Sequence, residues 1–341
     1  MQKTLRKITQ RNEFYTFLIV LALAVAVEIT SGQFFTPNNA VDLASAMVVP
    51  GLFAVAEFMV LISGGIDVSF PALASLTLFA TTKFLLDQNY TGPIIVPILM
   101  VIVLGGVLGA FNGFFIGYMN LPAMIVTLGS SSVFKGIMQG ALNSKQLAVI
   151  PDCMKNFGTS AIFTATNTTS GLTSKMPMTF IVFAVVLLLA FILLRYTFFG
   201  RGIYAIGGNP ASANCAGYNV KRTKFILYIL AGVIASLGGL CRVCMMQQCH
   251  PTNMLGMEMN VIAGVVLGGT AITGGAGSLT GCFLGTLLIV MVENSMIMLG
   301  VPTTWKSVFT GALIVIGVGI SAAQVDRANR AAIKAKKEVV R

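Results

Sequence analysis

Three carboxylates are the groups in this sequence best placed to do chemistry, because they fall where a carboxylate is costly. Glu57, Asp67 and Glu293 lie within or beside long apolar stretches, in the company of Asn112, Lys135, Gln139 and Asn294. Polar groups at membrane depth cannot face lipid, so they face one another or a water-filled path. The "SGGIDVSF" segment adds a break at Gly64 and Gly65, and broken backbone at that depth occurs where it lines a cavity. Glu57, Gly64, Gly65, Asp67, Asn112, Gln139, Glu293 and Asn294 are therefore candidates for lining a translocation path. Asp67 equally fits the N-cap of a helix that starts near Pro71.

Other chemistries find less support. His250 is the one histidine, so no two-His metal motif can form, and a loop or helix-end position is its simpler role. The "CRVC" pair, Cys241 and Cys244, followed by Cys249, has a spacing that hints at metal or redox work. The pair closes an apolar stretch, however, where cysteine packs as a small hydrophobe. "GGTAITGGAGSLTG", Gly268 to Gly281, lacks the lysine and the preceding strand of a phosphate loop and suits a tight turn between spans. With no G-x-x-x-x-G-K-[ST] anywhere, nucleotide hydrolysis by this chain alone is not expected, and neither a catalytic residue nor a bound metal is assigned.

A polar segment, "GGNPASANCAGYNVKR" from Gly207 to Arg222, carries a different signal. Asn209 suits an N-cap, Pro210 the first helical position and Gly217 the stop, which gives about two turns. Its side chains, Ala211, Ser212, Ala213, Asn214, Cys215 and Ala216, are nearly all small, so the surface is flat and can seat in a groove of another protein. A plain surface connection is the alternative.

The elements that must hold these groups are membrane helices. Charged residues make up 10% of the 341 residues and mean hydropathy is +0.86, which excludes an ordinary soluble domain. A span needs about 20 mainly apolar residues, and ten stretches approach that: Phe14–Thr30, Val41–Ile62, Pro71–Leu86, Pro93–Phe111, Ala123–Leu142, Met178–Leu194, Phe225–Val243, Met257–Thr270, Ser278–Leu299 and Thr304–Ala322. The first is too long for a short signal core and is expected to remain as a helix. Four basic residues precede the first stretch, five lie between Arg195 and Lys224, and six close the chain. By the positive-inside rule both termini and the Gly207–Val220 segment are cytoplasmic, and anionic lipid rather than nucleic acid accounts for the net charge of +11. The expected layout is an arm over 1–13, one transmembrane domain over 14–322 with an external loop at 143–177, and a basic tail over 323–341. Glycines repeat every fourth residue at Gly105, Gly109, Gly113 and Gly117 and at Gly277, Gly281 and Gly285, a small-residue spacing that lets helices approach closely in lipid.

Four ordered motifs, "LISGGIDVSFPALAS", "NLPAMIVTLGSSSVFKG", "GGNPASANCAGYNVKR" and "VVLGGTAITGGAGSLTGCFLGTLL...ENSMIMLGVPTTW", resemble the permease subunits of bacterial ABC importers of the ribose, xylose, arabinose and autoinducer-2 type, in a branched-chain-permease-like superfamily. The likeness runs from Thr36 to Ala322. It implies an all-α membrane protein of about ten helices like the vitamin B12 importer permease, in a bacterial inner membrane. It further implies a second permease subunit, identical or paralogous, a cytoplasmic ATPase that binds ATP and magnesium, and a periplasmic or lipid-anchored solute-binding protein. The segment Gly207 to Val220 matches the coupling helix gripped by the ATPase, so Asn209, Pro210, Ala213, Asn214, Gly217 and Tyr218 become coupling residues. Gly64, Gly65, Ile66, Asp67 and Ser69 match the family's GGID-[LV]-S signature. Departures occur at Phe70, Pro71, Ala123, Tyr218, Ala276 and Glu57, and they leave the solute open. Permeases for nucleosides or branched-chain amino acids are the substrate-level alternative. From a different class, an ion-coupled secondary transporter would use Glu57 and Glu293 as coupling carboxylates.

Overall fold

The computed structural model describes residues 12–143, 145–167, 171–305, 308–312, 315 and 319. The basic tail, nearly all of the N-terminal arm and most of the tenth apolar stretch lie outside these. In chain order the elements are α1 (Asn12–Ser31), α2 (Pro37–Ile62), α3 (Phe70–Asp87), α4 (Ile95–Gly113, ending in a π-helical turn Phe114–Tyr118), α5 (Ala123–Gly140), α6 (Asp152–Thr159), β1 (Ala161–Thr166) and β2 (Thr173–Pro177). There follow α7 (Thr179–Tyr196), α8 (Phe198–Gly208), α9 (Pro210–Cys215), α10 (Val220–Met246), α11 (Met257–Leu267) and α12 (Leu279–Met298). Each of the first nine apolar stretches thus forms a helix.

Among the described residues six helices, α1, α2, α4, α7, α10 and α12, are long and apolar enough to cross a membrane. The chain is a helical, multi-pass membrane protein. α11 is shorter than expected: at about 1.5 Å per residue its 11 residues reach only about halfway through a hydrocarbon core of about 30 Å.

α2 is the axis of the bundle. From Met47 onward it is apolar on nearly every face, Glu57 excepted, and such a helix is buried rather than presented to one side. The run Val48, Leu52, Val55, Met59 and Ile62 is almost fully buried, with Phe53 and Phe58 filling the other faces. The outer helices reverse the soluble pattern and turn apolar rows outward, Leu99, Val103 and Val107 on α4 and Ile181, Val185 and Leu188 on α7.

The stripe on α4 does what its spacing predicts. A methyl built on Gly113 or Gly117 would stand 2.8 Å from the carbonyl oxygen of Phe225 or Lys221 on α10, and Gly105 and Gly109 press as closely on Gly232 and Tyr228. The second stripe is only partly helical. Gly281 and Gly285 cross Gly264 of α11 and Gly268 just past its end, whereas Gly277 lies in the turn before α12 with φ +151. The loop over 143–177 contains structure of its own, α6 and the antiparallel β1–β2 hairpin, in which Thr164 pairs with Lys175 and Thr166 with Thr173. Paired backbone bonds between Leu147 and Cys249 tie the loop to the segment after α10.

Candidate functional site

The polar segment between α7 and α10 is built from three successive caps. Thr197 Oγ1 accepts from Gly200 N at 3.0 Å to start α8, Asn209 Oδ1 accepts from Ser212 N at 3.0 Å to start α9, and Asn219 Oδ1 accepts from Arg222 N at 2.9 Å to start α10. Pro210 occupies the first turn of α9, where its missing N–H costs nothing. Gly217, at φ +89, reverses the chain so that Tyr218 N can donate to Ala213 O at 3.1 Å. The outward face is Ala211, Ser212, Asn214 and Cys215.

Two expected docking residues turn inward instead. Ala213 is 2% exposed, so it seats α9 on the body of the chain. Tyr218 is half-buried, stacked on Phe198 with ring centroids 4.5 Å apart, and its ring would strike any side chain at Gly202. Beside α9 an open groove of about 630 Å³ runs between Asn120, Pro210, Asn214, Gly217 and Lys221.

The start of this segment touches the break after α2. Gly207, Gly64 and Gly274 converge so tightly that a methyl on Gly207 would collide with the carbonyl of Ile62, and one on Gly274 would lie 2.6 Å from the Gly64 Cα. Gly275, at φ +76, meets Gly208 in the same way. Tyr204 on α8 reaches the same loop, donating its hydroxyl to Gly277 O at 3.2 Å. Burial, and then neighbouring Cys282, raise that phenol above its usual range and keep it a neutral donor.

Glu57, Asp67 and Asn112 do come together, but as a sealed cluster and not as the wall of an open path. Glu57 Oε1 accepts from Asp67 N at 3.3 Å, and Asp67 Oδ1 accepts from Ser69 N at 2.7 Å and from Ser69 Oγ at 2.6 Å. Asn112 Nδ2 donates to Ser69 Oγ at 2.8 Å, and Val68 N donates to Thr127 Oγ1 at 3.3 Å. All of these side chains are buried. Asp67 is two residues upstream of the N-cap position, which Ser69 holds without a side-chain bond, so the carboxylate is not the cap itself and accepts from the Ser69 amide just ahead of the helix. Glu57 Oε2, Asn112 Oδ1 and Tyr228 Oη have no hydrogen-bond partner among the described residues, which leaves unused bonding capacity beside the break. Thr127 and Tyr228 escape sequence reasoning because a hydroxyl inside an apolar helix carries no periodic signal.

The other expected path residues lie apart. Gln139 is exposed near the end of α5 and Lys135 is half-buried one turn earlier. Asn294 Nδ2 donates to Asn39 Oδ1 at 3.2 Å, holding α12 to α2, while Glu293 lines a separate cleft with Arg242. His250 is a loop residue whose Nδ1 accepts from Thr252 N at 3.2 Å, and Cys241 and Cys244 are buried in the core.

A multi-pass helical protein that presents a capped two-turn helix between two spans, braced against the glycine break at the end of α2, suits a transport subunit. The model of the family described as "Branched-chain amino acid transport system / permease component" matches residues 39–318, and the chain belongs to that family. It is similar to the xylose transport system permease protein XylH of Haemophilus influenzae, 28% identical over 90% of this chain and 96% of that one. The ribose import permease protein RbsC of Escherichia coli K12 is 29% identical over 89% of this chain and 91% of its own length. The D-allose transport system permease protein AlsC of the same strain is 29% identical over 89% of each. The permease resemblance carried by the four motifs is thereby borne out. No solved structure matches.

Proposed function

We propose that this chain is the transmembrane permease subunit of an ATP-driven ABC importer that carries a sugar into the cytoplasm, ATP being hydrolysed by a separate chain. The observation that carries this reading is the seat of α9. Its exposed face is small and flat, its buried face is fixed by Ala213, and it follows directly on the glycine contact at the end of α2. In this reading the face of Ala211, Ser212 and Asn214 meets the cytoplasmic ATPase. Closure of the ATPase pushes α9, and Gly207 passes the displacement to Ile62 and the break over Gly64–Ser69. Packed helices have discrete rather than graded arrangements, so the push flips the subunit between two states.

The same reading supplies the remaining parts. They are ten spans in an inner membrane, both termini and α9 on the cytoplasmic side, a second permease subunit, and a binding protein delivering solute to the opposite face near α6 and the hairpin. The relatives' sugars are pentoses and a hexose, which supports a monosaccharide as solute.

The test is reconstitution of the chain with its ATPase and solute-binding protein in liposomes, followed by uptake of labelled D-ribose, D-xylose and D-allose. Uptake that requires ATP inside the cytoplasm-equivalent compartment, and is lost with the ATPase, is expected. Uptake driven by a proton or sodium gradient with the ATPase omitted overturns the reading.

A further inference from the structure

We propose that the cleft between Pro50, Arg242, Asn253, Asn260 and Glu293 is a binding site for a neutral polyhydroxylated solute of pentose or hexose size, on the side of the permease away from α9. The site rests on the permease reading and goes beyond it by giving the solute a place within a single subunit. Its volume is about 430 Å³, inside the range of roughly 300–1,000 Å³ typical of small-ligand clefts.

Its depth follows from helix lengths. Pro50 is twelve residues before Ile62 on α2, and Glu293 is fourteen residues after Leu279 on α12, so at about 1.5 Å per residue both stand about 18 to 21 Å from the α9 side. Half of a hydrocarbon core is about 15 Å. The cleft therefore opens in the far half of the membrane, where solute arriving from outside would first meet the permease.

Its chemistry offers both donors and acceptors. Arg242 Nη2 donates to Asn253 Oδ1 at 3.3 Å, and Arg242 Nε is buried with no partner among the described residues. Glu293 lines the same cleft as Arg242, so a carboxylate and a guanidinium of opposite formal charge share one wall. Pro50 has no N–H to give to the carbonyl four residues back, which leaves the Ala46 oxygen without its helical donor, and Ala46 and Pro50 both line the cleft. Asn260 adds an amide that both donates and accepts. Each sugar hydroxyl also donates and accepts, and a neutral solute matches a wall whose charges offset. Charged groups at this depth need water or polar partners, which an aqueous cleft provides.

The test uses the full chain in lipid nanodiscs with Ser45, on the rim of the cleft, changed by Ser45→Cys. Labelling at residue 45 by a membrane-impermeant maleimide is followed by peptide mass spectrometry, with and without D-ribose, D-xylose or D-allose. At least one of the three is expected to slow labelling, and adding Asn260→Leu or Glu293→Gln to the same chain is expected to remove about fivefold or more of that sugar's affinity. Labelling that none of the three sugars slows overturns the site, as does a slowing that both added substitutions leave unchanged. Sugar uptake that proceeds without an ATPase would sink the importer reading alone, since protection at residue 45 would still support the cleft.

Discussion

The amide of Gly275 donates to the carbonyl of Ile62 over 2.9 Å, so the glycine-rich turn before α12 closes the open end of α2. The last carbonyls of a helix have no partner within it, and here one of them is taken by a loop more than two hundred residues away. Gly207 lies against the same carbonyl, which joins the end of α2, the end of α8 and the turn before α12 in one contact made of backbone. Flexible side chains would absorb a displacement at such a junction. Backbone in van der Waals contact passes it on.

Gly207→Ala should therefore uncouple transport before it unfolds the protein. The added methyl collides with the Ile62 carbonyl and must displace either α8 or α2, an overpacking cost of about 1–3 kcal/mol. The expected result in the reconstituted importer is continued ATP hydrolysis with several-fold less sugar moved per ATP. Gly208→Ala, where a methyl meets nothing within 4 Å, should behave as wild type. Equal coupling in the two variants would show that the junction transmits nothing.

In the proposed coupling role, the two faces of α9 separate docking from packing. Ala211→Trp adds bulk to the exposed face, so it should block association with the ATPase while the melting temperature of the chain alone stays unchanged. Ala213→Trp forces an indole into a site only 2% exposed, and it should lower that temperature as well as weaken association. Copurification with the ATPase and thermal unfolding of the permease alone read the two effects independently.

Glu57 acts in this fold through one acceptor oxygen. Glu57→Gln keeps an oxygen for Asp67 N–H and should retain the folded stability, whereas Glu57→Leu leaves that buried donor unpaired at a cost of about 1–3 kcal/mol. Thermal unfolding in detergent should rank wild type and Gln together and Leu well below. Loss of uptake in Glu57→Gln, with stability intact, would instead give the carboxylate a direct part in transport.

What the sequence reveals about this chain is what is local. The Asn209 cap, Pro210 and the Gly217 reversal are readable because a cap, a first turn and a stop fall within nine consecutive positions. The α4 stripe is readable because close helix approach imposes a spacing of four. Gly64, Gly207 and Gly274 have no such rule, since their meeting depends on how three distant segments pack, and each alone looks like an ordinary turn glycine. Polarity at membrane depth marks the path candidates, and it shows that a group needs a partner but not which one. Hence Glu57 meets the Asp67 amide, Asn112 meets Ser69, Asn294 meets Asn39, and Glu293 meets the cleft of Arg242. The Pro50 position within α2 has meaning only once the helices on either side of Ala46 are in place.

Gly106 and Gly109, one turn apart on α4, provide the sharpest check on the packing that holds all of this together. In lipid, helices gain little from burying apolar surface against each other, so contact distance decides their association. A methyl on Gly109 would run into the Tyr228 carbonyl and lie 3.0 Å from the Ile229 Cα, both of them backbone on α10, while one on Gly106 would rest 3.6 Å from a Val233 methyl in ordinary contact. Gly109→Ala should thus force α4 away from α10 and destabilise by about 1–3 kcal/mol. Gly106→Ala should be neutral or stabilising by up to about 1 kcal/mol, because alanine loses less conformational freedom in a helix than glycine does. Thermal unfolding of the two variants side by side measures the difference. Because α10 starts at the Asn219 cap just beyond α9, Gly109→Ala should also loosen α9 and, if α9 docks as proposed, lower copurification with the ATPase, an effect Gly106→Ala should not share.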